Sequence, residues 1–212
     1  MCVKNTENEY GAVAKGFHWV IGLTILGLLA VGFYMAGLEN APFKFKIYGI
    51  HKALGIAVLA LAALRVVWRF INVQPSGLST HQAWEKFLSK ITHVVLYVAM
   101  LGMPLSGWVM SSAGGYPISF FGLFPIPPIV EKNPDLGGLA SNIHSDLGYA
   151  LVIALGVHIA GAAKHHILDR DTTLSRMVHN NLGLVSGLFI LVLGAVVLGA
   201  ATYFGALRLL FS

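Results

Sequence analysis

An all-α integral membrane protein is the fold class this sequence predicts, a four-helix transmembrane bundle followed by a fifth, C-terminal transmembrane helix. Three observations lead there. The 212-residue chain is 56% hydrophobic but only 11% charged, whereas a soluble domain carries about 25% charged residues. Five stretches, at about 17–36, 48–70, 91–111, 142–163 and 182–207, reach the ~20 apolar residues that a membrane helix needs. Four histidines, His18, His51, His144 and His158, lie inside those stretches or at their mouths.

The first stretch follows Lys4 and Lys15 in the manner of a signal peptide. Its full spanning length, its lack of a cleavage site and the presence of His18 predict a retained helix instead. The second carries His51 near its start and Arg65 and Arg69 near its end. The third opens on His93, and its Met100, Met103 and Met110 read as packing residues. The segment 112–141 holds Pro117, Pro125, Pro127, Pro128 and Pro134, so it reads as an ordered surface loop or cap. The fourth stretch contains both His144 and His158. The fifth has no histidine and no charge until Arg208. Gly183, Gly187, Gly194 and Gly199 there suit close helix packing. Trp19, Trp68, Trp84 and Trp108 fall near span ends, where interfacial belts form. The expected organisation is a four-helix unit over residues 1–178 and an additional helix over 182–212.

The net charge of +5 does not indicate a nucleic-acid surface, because the basic residues are scattered among apolar spans. They report topology instead. With the N-terminus inside, Lys4, Lys15, Arg65, Arg69, Lys86, Lys90, Lys164, Arg170 and Arg176 face the cytoplasm. Lys44, Lys46, Lys52, Lys132 and Arg208 face outward. Nine of the 14 basic residues then lie inside, which predicts a cytoplasmic N-terminus and a periplasmic C-terminus.

This orientation sets the depth of each histidine. Helix one runs outward from His18, and helix two runs inward from His51. Helix four runs inward with His144 at its outer end and His158 fourteen residues later. Fourteen residues rise ~21 Å and return to within about 40° of the same face. His18 therefore matches His158 near the inner surface, and His51 matches His144 near the outer one. A histidine in hydrocarbon is costly without a partner, and imidazole is the commonest axial ligand of haem iron. Two stacked bis-histidine haem sites are the reading that follows. Small residues one turn on, Gly22, Gly55, Gly148 and Ala162, leave room for a flat macrocycle beside each ligand. His93 has Tyr97 at that position; His179 has Gly183 but sits in a polar junction without an obvious partner. Zinc would need its ligands to converge at one point, which two separated layers do not offer. Cys2 is the single cysteine. A disulfide framework, a cysteine-ligated cluster and a C-x-x-C-H haem attachment are thereby excluded, and the haems are expected to be b-type.

Several motifs together are similar to those of the bacterial cytochrome b561 family. They are Gly16-Phe17-His18-Trp19, Ile50-His51-Lys52-Ala53-Leu54-Gly55 and the stretch from His144 through His158 to Lys164-His165-His166. His93 with Val94 to Tyr97, Phe121-Gly122-Leu123, Asp171-Thr172-Thr173-Leu174 and Arg176-Met177 agree as well, so the resemblance covers roughly residues 10–178. It implies a four-helix bundle with two b haems, held by His18 with His158 and by His51 with His144. Respiratory cytochrome b and the ferric reductases place spaced histidine pairs on two separate helices; here helix four alone has two. No Gly-rich dinucleotide fingerprint follows a predicted strand.

The family includes superoxide oxidases, so the resemblance implies a superoxide:ubiquinone oxidoreductase of the bacterial inner membrane. Superoxide would deliver electrons at the periplasmic face and ubiquinone would accept them. Lys44, Lys46 and Lys52 cluster about the outer ligand and would attract a small anion. The resemblance favours His165 for a quinone contact, with His93 and Arg69 near it in depth. The alternative is a di-haem electron-transfer subunit serving a periplasmic dehydrogenase or a larger respiratory complex, with the fifth helix as a docking surface.

Overall fold

The computed structural model describes residues 2–78 and 80–178. The predicted fifth span, the glycines within it and His179 lie outside the described residues. Among the described residues, four helices are long and apolar enough to cross a membrane: α1 (Ala12–Ala36), α2 (Pro42–Ile71), α3 (Ala83–Ala113) and α4 (Pro134–Ile167).

Each helix overruns its apolar stretch, because polar and capping residues continue the spiral beyond hydrocarbon. Pro42 and Pro134 occupy first-turn positions where a missing N–H costs nothing. The Asn133 side chain accepts from the Leu136 backbone N–H at 3.1 Å, and Glu85 accepts from the Gln82 N–H at 2.9 Å, so both starts are capped. His51 consequently sits two to three turns inside α2 rather than at its start, and His144 lies equally deep in α4.

Consecutive helices pack as neighbours, α1 on α2, α2 on α3 and α3 on α4. Ile21, Ile25 and Leu29 recur every fourth residue, so one stripe of α1 faces Val58 and Ala62 of α2, Ala99 and Met100 of α3 and Leu151 of α4. Alanines at 53, 62, 99, 140 and 154 are buried, which lets backbones approach closely. Large apolar side chains such as Val20, Leu64, Val67, Val98 and Ile153 point outward, as lipid-facing positions do. Pro104 lies within α3 and cannot donate to the carbonyl one turn back.

The segment after α3, expected as an ordered surface loop or cap, contains a hairpin. Strands β1 (Ile118–Phe120) and β2 (Phe124–Ile126) form an antiparallel hairpin that packs β1 on α2. Phe121 and Gly122 turn it, with φ of 50° and 79°, the left-handed geometry that tight hairpins require. Pro125 is tolerated because a two-stranded ribbon leaves outward N–H positions unpaired. The Trp108 indole N–H donates to the Pro127 carbonyl at 3.0 Å and ties this cap to α3.

The opposite end is closed by three chain segments. Asn5 donates to the Val73 carbonyl at 2.8 Å, Ser76 N–H to the Glu7 carbonyl at 2.9 Å, and Arg176 to the Ser76 carbonyl at 2.7 Å. The Trp19 indole N–H donates to the Met177 carbonyl at 2.9 Å. Trp19, Trp68 and Trp84 line a cavity at this end.

Candidate functional site

The four predicted histidines come together as two pairs. His18 on α1 and His158 on α4 have ring centres 6.0 Å apart; His51 on α2 and His144 on α4 have theirs 6.4 Å apart. A metal held between two imidazoles needs bonds of ~2.0 Å on each side, which with the half-widths of the rings sets their centres roughly 6 Å apart. Both spacings therefore fit a bis-imidazole iron, and both pairs draw on α4 because fourteen residues return a helix to nearly the same face.

Each ring is oriented differently. His144 Nδ1 lies 3.0 Å from the Met103 carbonyl and 3.1 Å from Ser106 Oγ. A carbonyl can only accept, so Nδ1 carries the proton and Nε2 keeps its lone pair for a metal. Gly107 makes this approach possible, since a Cβ there would stand 3.0 Å from His144 Cε1. His51 Nδ1 is buried without a hydrogen-bond partner among the described residues; its Cε1 packs against Gly32. His18 Nδ1 lies 3.3 Å from the Arg65 guanidinium.

Around the inner pair is a cavity of about 670 Å³. Gly22 and Ala162, two of the small residues one turn beyond a histidine, line it. His93, Arg69 and His165, the residues expected near a quinone, line it too, and the His93 ring stands 5.2 Å from that of His158. Arg65 and Arg69 each hold a guanidinium 5.5 Å from the Tyr97 ring centre, within cation–π range. The outer gap is smaller, about 50 Å³, and Gly55, Met100, Met103 and Leu151 border it. The imidazole pairs of both levels are donors that b-type haem takes.

A polar cluster that sequence reading missed borders the inner cavity. His81 stacks on His165 at 4.1 Å, and its Nε2 donates to Asp171 Oδ2 at 2.8 Å. His165 Nδ1 donates to Asp169 at 2.7 Å. Lys164 is bonded to both Glu85 and Asp169. Hydrogen bonds from Lys164 hold the Asp169 carboxyl below the usual range. Burial pushes Asp171 up, but bonds from Thr173 and His81 outweigh it and leave that carboxyl lowered. The sequence signals for the cluster were the Lys164-His165-His166 and Asp171-Thr172-Thr173 motifs; His81, in a junction without periodicity, gave none.

The three lysines at the outer end do not form one open patch. Lys44 is buried, donating to the Leu38 carbonyl at 2.6 Å and lying over Tyr48. Lys52 is half-buried, 5.6 Å over the Tyr116 ring. Lys46 is exposed.

The profile of the prokaryotic cytochrome b561 family matches residues 9–180. The chain belongs to the prokaryotic cytochrome b561 family. Among its relatives, cytochrome b561 homolog 2 of Escherichia coli (strain K12) is 31% identical over 179 residues, 84% of this chain and 95% of the relative. Cytochrome b561 homolog 1 of the same organism is 32% identical over 178 residues, 81% of this chain and 97% of the relative. A probable superoxide oxidase CybB of Yersinia pestis is 24% identical over 177 residues, 84% of this chain and 99% of the relative. Membership implies b-type haem and electron transfer across the membrane, and it agrees with the four apolar helices of a multi-pass membrane protein.

Proposed function

We propose that this cytochrome b561 moves electrons from periplasmic superoxide to ubiquinone at the cytoplasmic side. His18 and His158 hold the inner haem iron, and His51 and His144 the outer one. Bound between these pairs, haem supplies reversible one-electron carriers at two depths of the bilayer. The observation that carries the reading is the inner cavity, where the His18–His158 pair shares one space with His93, Arg69 and His165. The probable superoxide oxidase CybB of Yersinia pestis among the relatives supports the choice of donor, and nine of the 14 basic residues at or near the cavity end support its cytoplasmic placement.

The reaction takes two superoxide anions, releases two molecules of oxygen, and adds two electrons and two protons to one quinone. This chain's residues supply the proton handling and the charge. His93 carries its proton on Nδ1, bonded to the Ser89 carbonyl at 2.7 Å, so its Nε2 lone pair takes up a proton from the polar end and, as imidazolium, donates it to a quinone oxygen. His165 shares its Nδ1 proton with Asp169 and links the cavity to the polar end of the bundle. The guanidiniums of Arg65 and Arg69 stay cationic and favour negative charge arriving on the quinone. At the outer face, exposed Lys46 attracts the anionic donor.

A second reading has an observation of its own. Lys44 and Lys52 are engaged within the protein, while the hairpin tip exposes Phe121, Leu123 and Phe124. Such a surface suits an electron-transfer subunit that docks a periplasmic dehydrogenase or a larger respiratory complex. Mixing the haem-loaded protein with superoxide, with and without ubiquinone, separates the two. Rapid appearance of the reduced b-type spectrum and superoxide-dependent quinol support the oxidoreductase; two haems reduced by dithionite but slowly by superoxide favour the docking subunit.

A further inference from the structure

We propose that His81, His165 and Asp171 form a binding site for a zinc-class divalent ion at the edge of the inner cavity, distinct from both histidine pairs. Two imidazole nitrogens lie near one carboxylate oxygen. His81 Nε2 lies 2.8 Å and His165 Nδ1 3.4 Å from Asp171 Oδ2, and the three ligand atoms all lie within 4.8 Å of one another. Tetrahedral bonds of ~2.0 Å place ligand atoms about 3.3 Å apart, so small movements seat an ion among these three. Two histidines and one carboxylate are also a donor set that zinc-class ions favour, with a fourth position left to water or substrate.

The surroundings select this set over its neighbour. Glu85, His165 and Asp169 are equally close together, but the Lys164 ammonium is bonded to both of those carboxylates and would repel a cation. Asp171 has no lysine on it among the described contacts. Its Oδ1 accepts the Thr173 backbone N–H at 2.7 Å, an outer contact that aims Oδ2 at the two rings. The three side chains are 12–16% exposed, sheltered yet reachable from the cavity. On binding, the ion takes the place of the His81 proton bonded to Asp171 and of the His165 proton bonded to Asp169, and both protons leave to solvent.

Occupancy removes the Nδ1 proton of His165 and so arrests proton uptake by the quinone; this consequence rests on the role proposed for His165 above. The test titrates Zn²⁺ into the haem-loaded protein by calorimetry and follows quinol formation in parallel. One ion is expected to bind in addition to the haem iron, with affinity falling roughly tenfold or more in His81→Ala and in Asp171→Asn. An unchanged visible spectrum shows that each variant is folded. Inhibition of the wild type should be reversed by a chelator and be absent in His81→Ala. No saturable binding, or wild-type affinity in both variants, overturns the site. Binding that both variants lose, without inhibition of the wild type, overturns the proton role of His165 and leaves the site standing.

Discussion

Replacing Gly107 by alanine isolates the outer histidine pair. The added methyl would stand 3.0 Å from His144 Cε1 and 3.3 Å from Nδ1, against an optimal carbon contact of about 3.5–4.0 Å. The ring must then retreat by roughly 0.5 Å. Met103 and Ser106 lie on the same helix as Gly107, so retreat stretches both bonds to Nδ1, now 3.0 and 3.1 Å, to roughly 3.5 Å, where a hydrogen bond is nearly lost. Loss of such an outer contact costs about 10–100-fold in metal affinity. Gly107→Ala should therefore bind the outer haem weakly and shift its potential, leaving the inner haem untouched. Haem quantification and a spectroscopic redox titration in detergent measure both, with Gly27→Ala as control because its position is open. Two haems with unchanged potentials in Gly107→Ala would refute the packing argument.

Other outcomes follow from the same geometry. His18→Ala or His158→Ala should leave one haem with the spectrum of the outer site, and His51→Ala or His144→Ala the complementary one. Equal loss of both haems from every variant would contradict independent pairs. Leu151 is 2% exposed and borders the outer gap; Leu151→Ala should cost about 2–5 kcal/mol, read as a lower unfolding midpoint of the haem absorbance. Asp169 and Asp171 have carboxyls held below the ordinary ~3.9. Their contribution to holding residues 168–178 is full above that value and is lost as pH falls through the lower folded one. Normalised to cutting of an unstructured peptide, pepsin cleavage of this segment should therefore be low near about pH 4 and rise as the pH falls further, whereas a flat normalised rate would show the carboxylates do not secure it.

The histidine pairs were legible because a helix converts sequence spacing into depth and direction. Once the apolar stretches are identified, fourteen residues between His144 and His158 leave little freedom. The polar cluster was not legible, because His81 reaches Asp171 across ninety positions and neither lies in a periodic segment. Helix ends were underestimated for a related reason: hydropathy measures the hydrocarbon, whereas caps such as Asn133 and Glu85 continue a helix into water.

The outer lysines show the same boundary. Composition placed Lys44, Lys46 and Lys52 at one face, but only packing decided that Lys44 would turn to the Leu38 carbonyl and Lys52 to Tyr116. The sequence by itself determined the membrane class, the four spanning helices and the two levels of histidine, all consequences of local periodicity and the price of polar groups in lipid. Tertiary structure alone decided the ring separations of 6.0 and 6.4 Å, the contrast between a large inner cavity and a tight outer gap, and the meeting of His81 with His165 and Asp171. Those depend on how side chains distant in sequence fill shared space, and no local pattern records that.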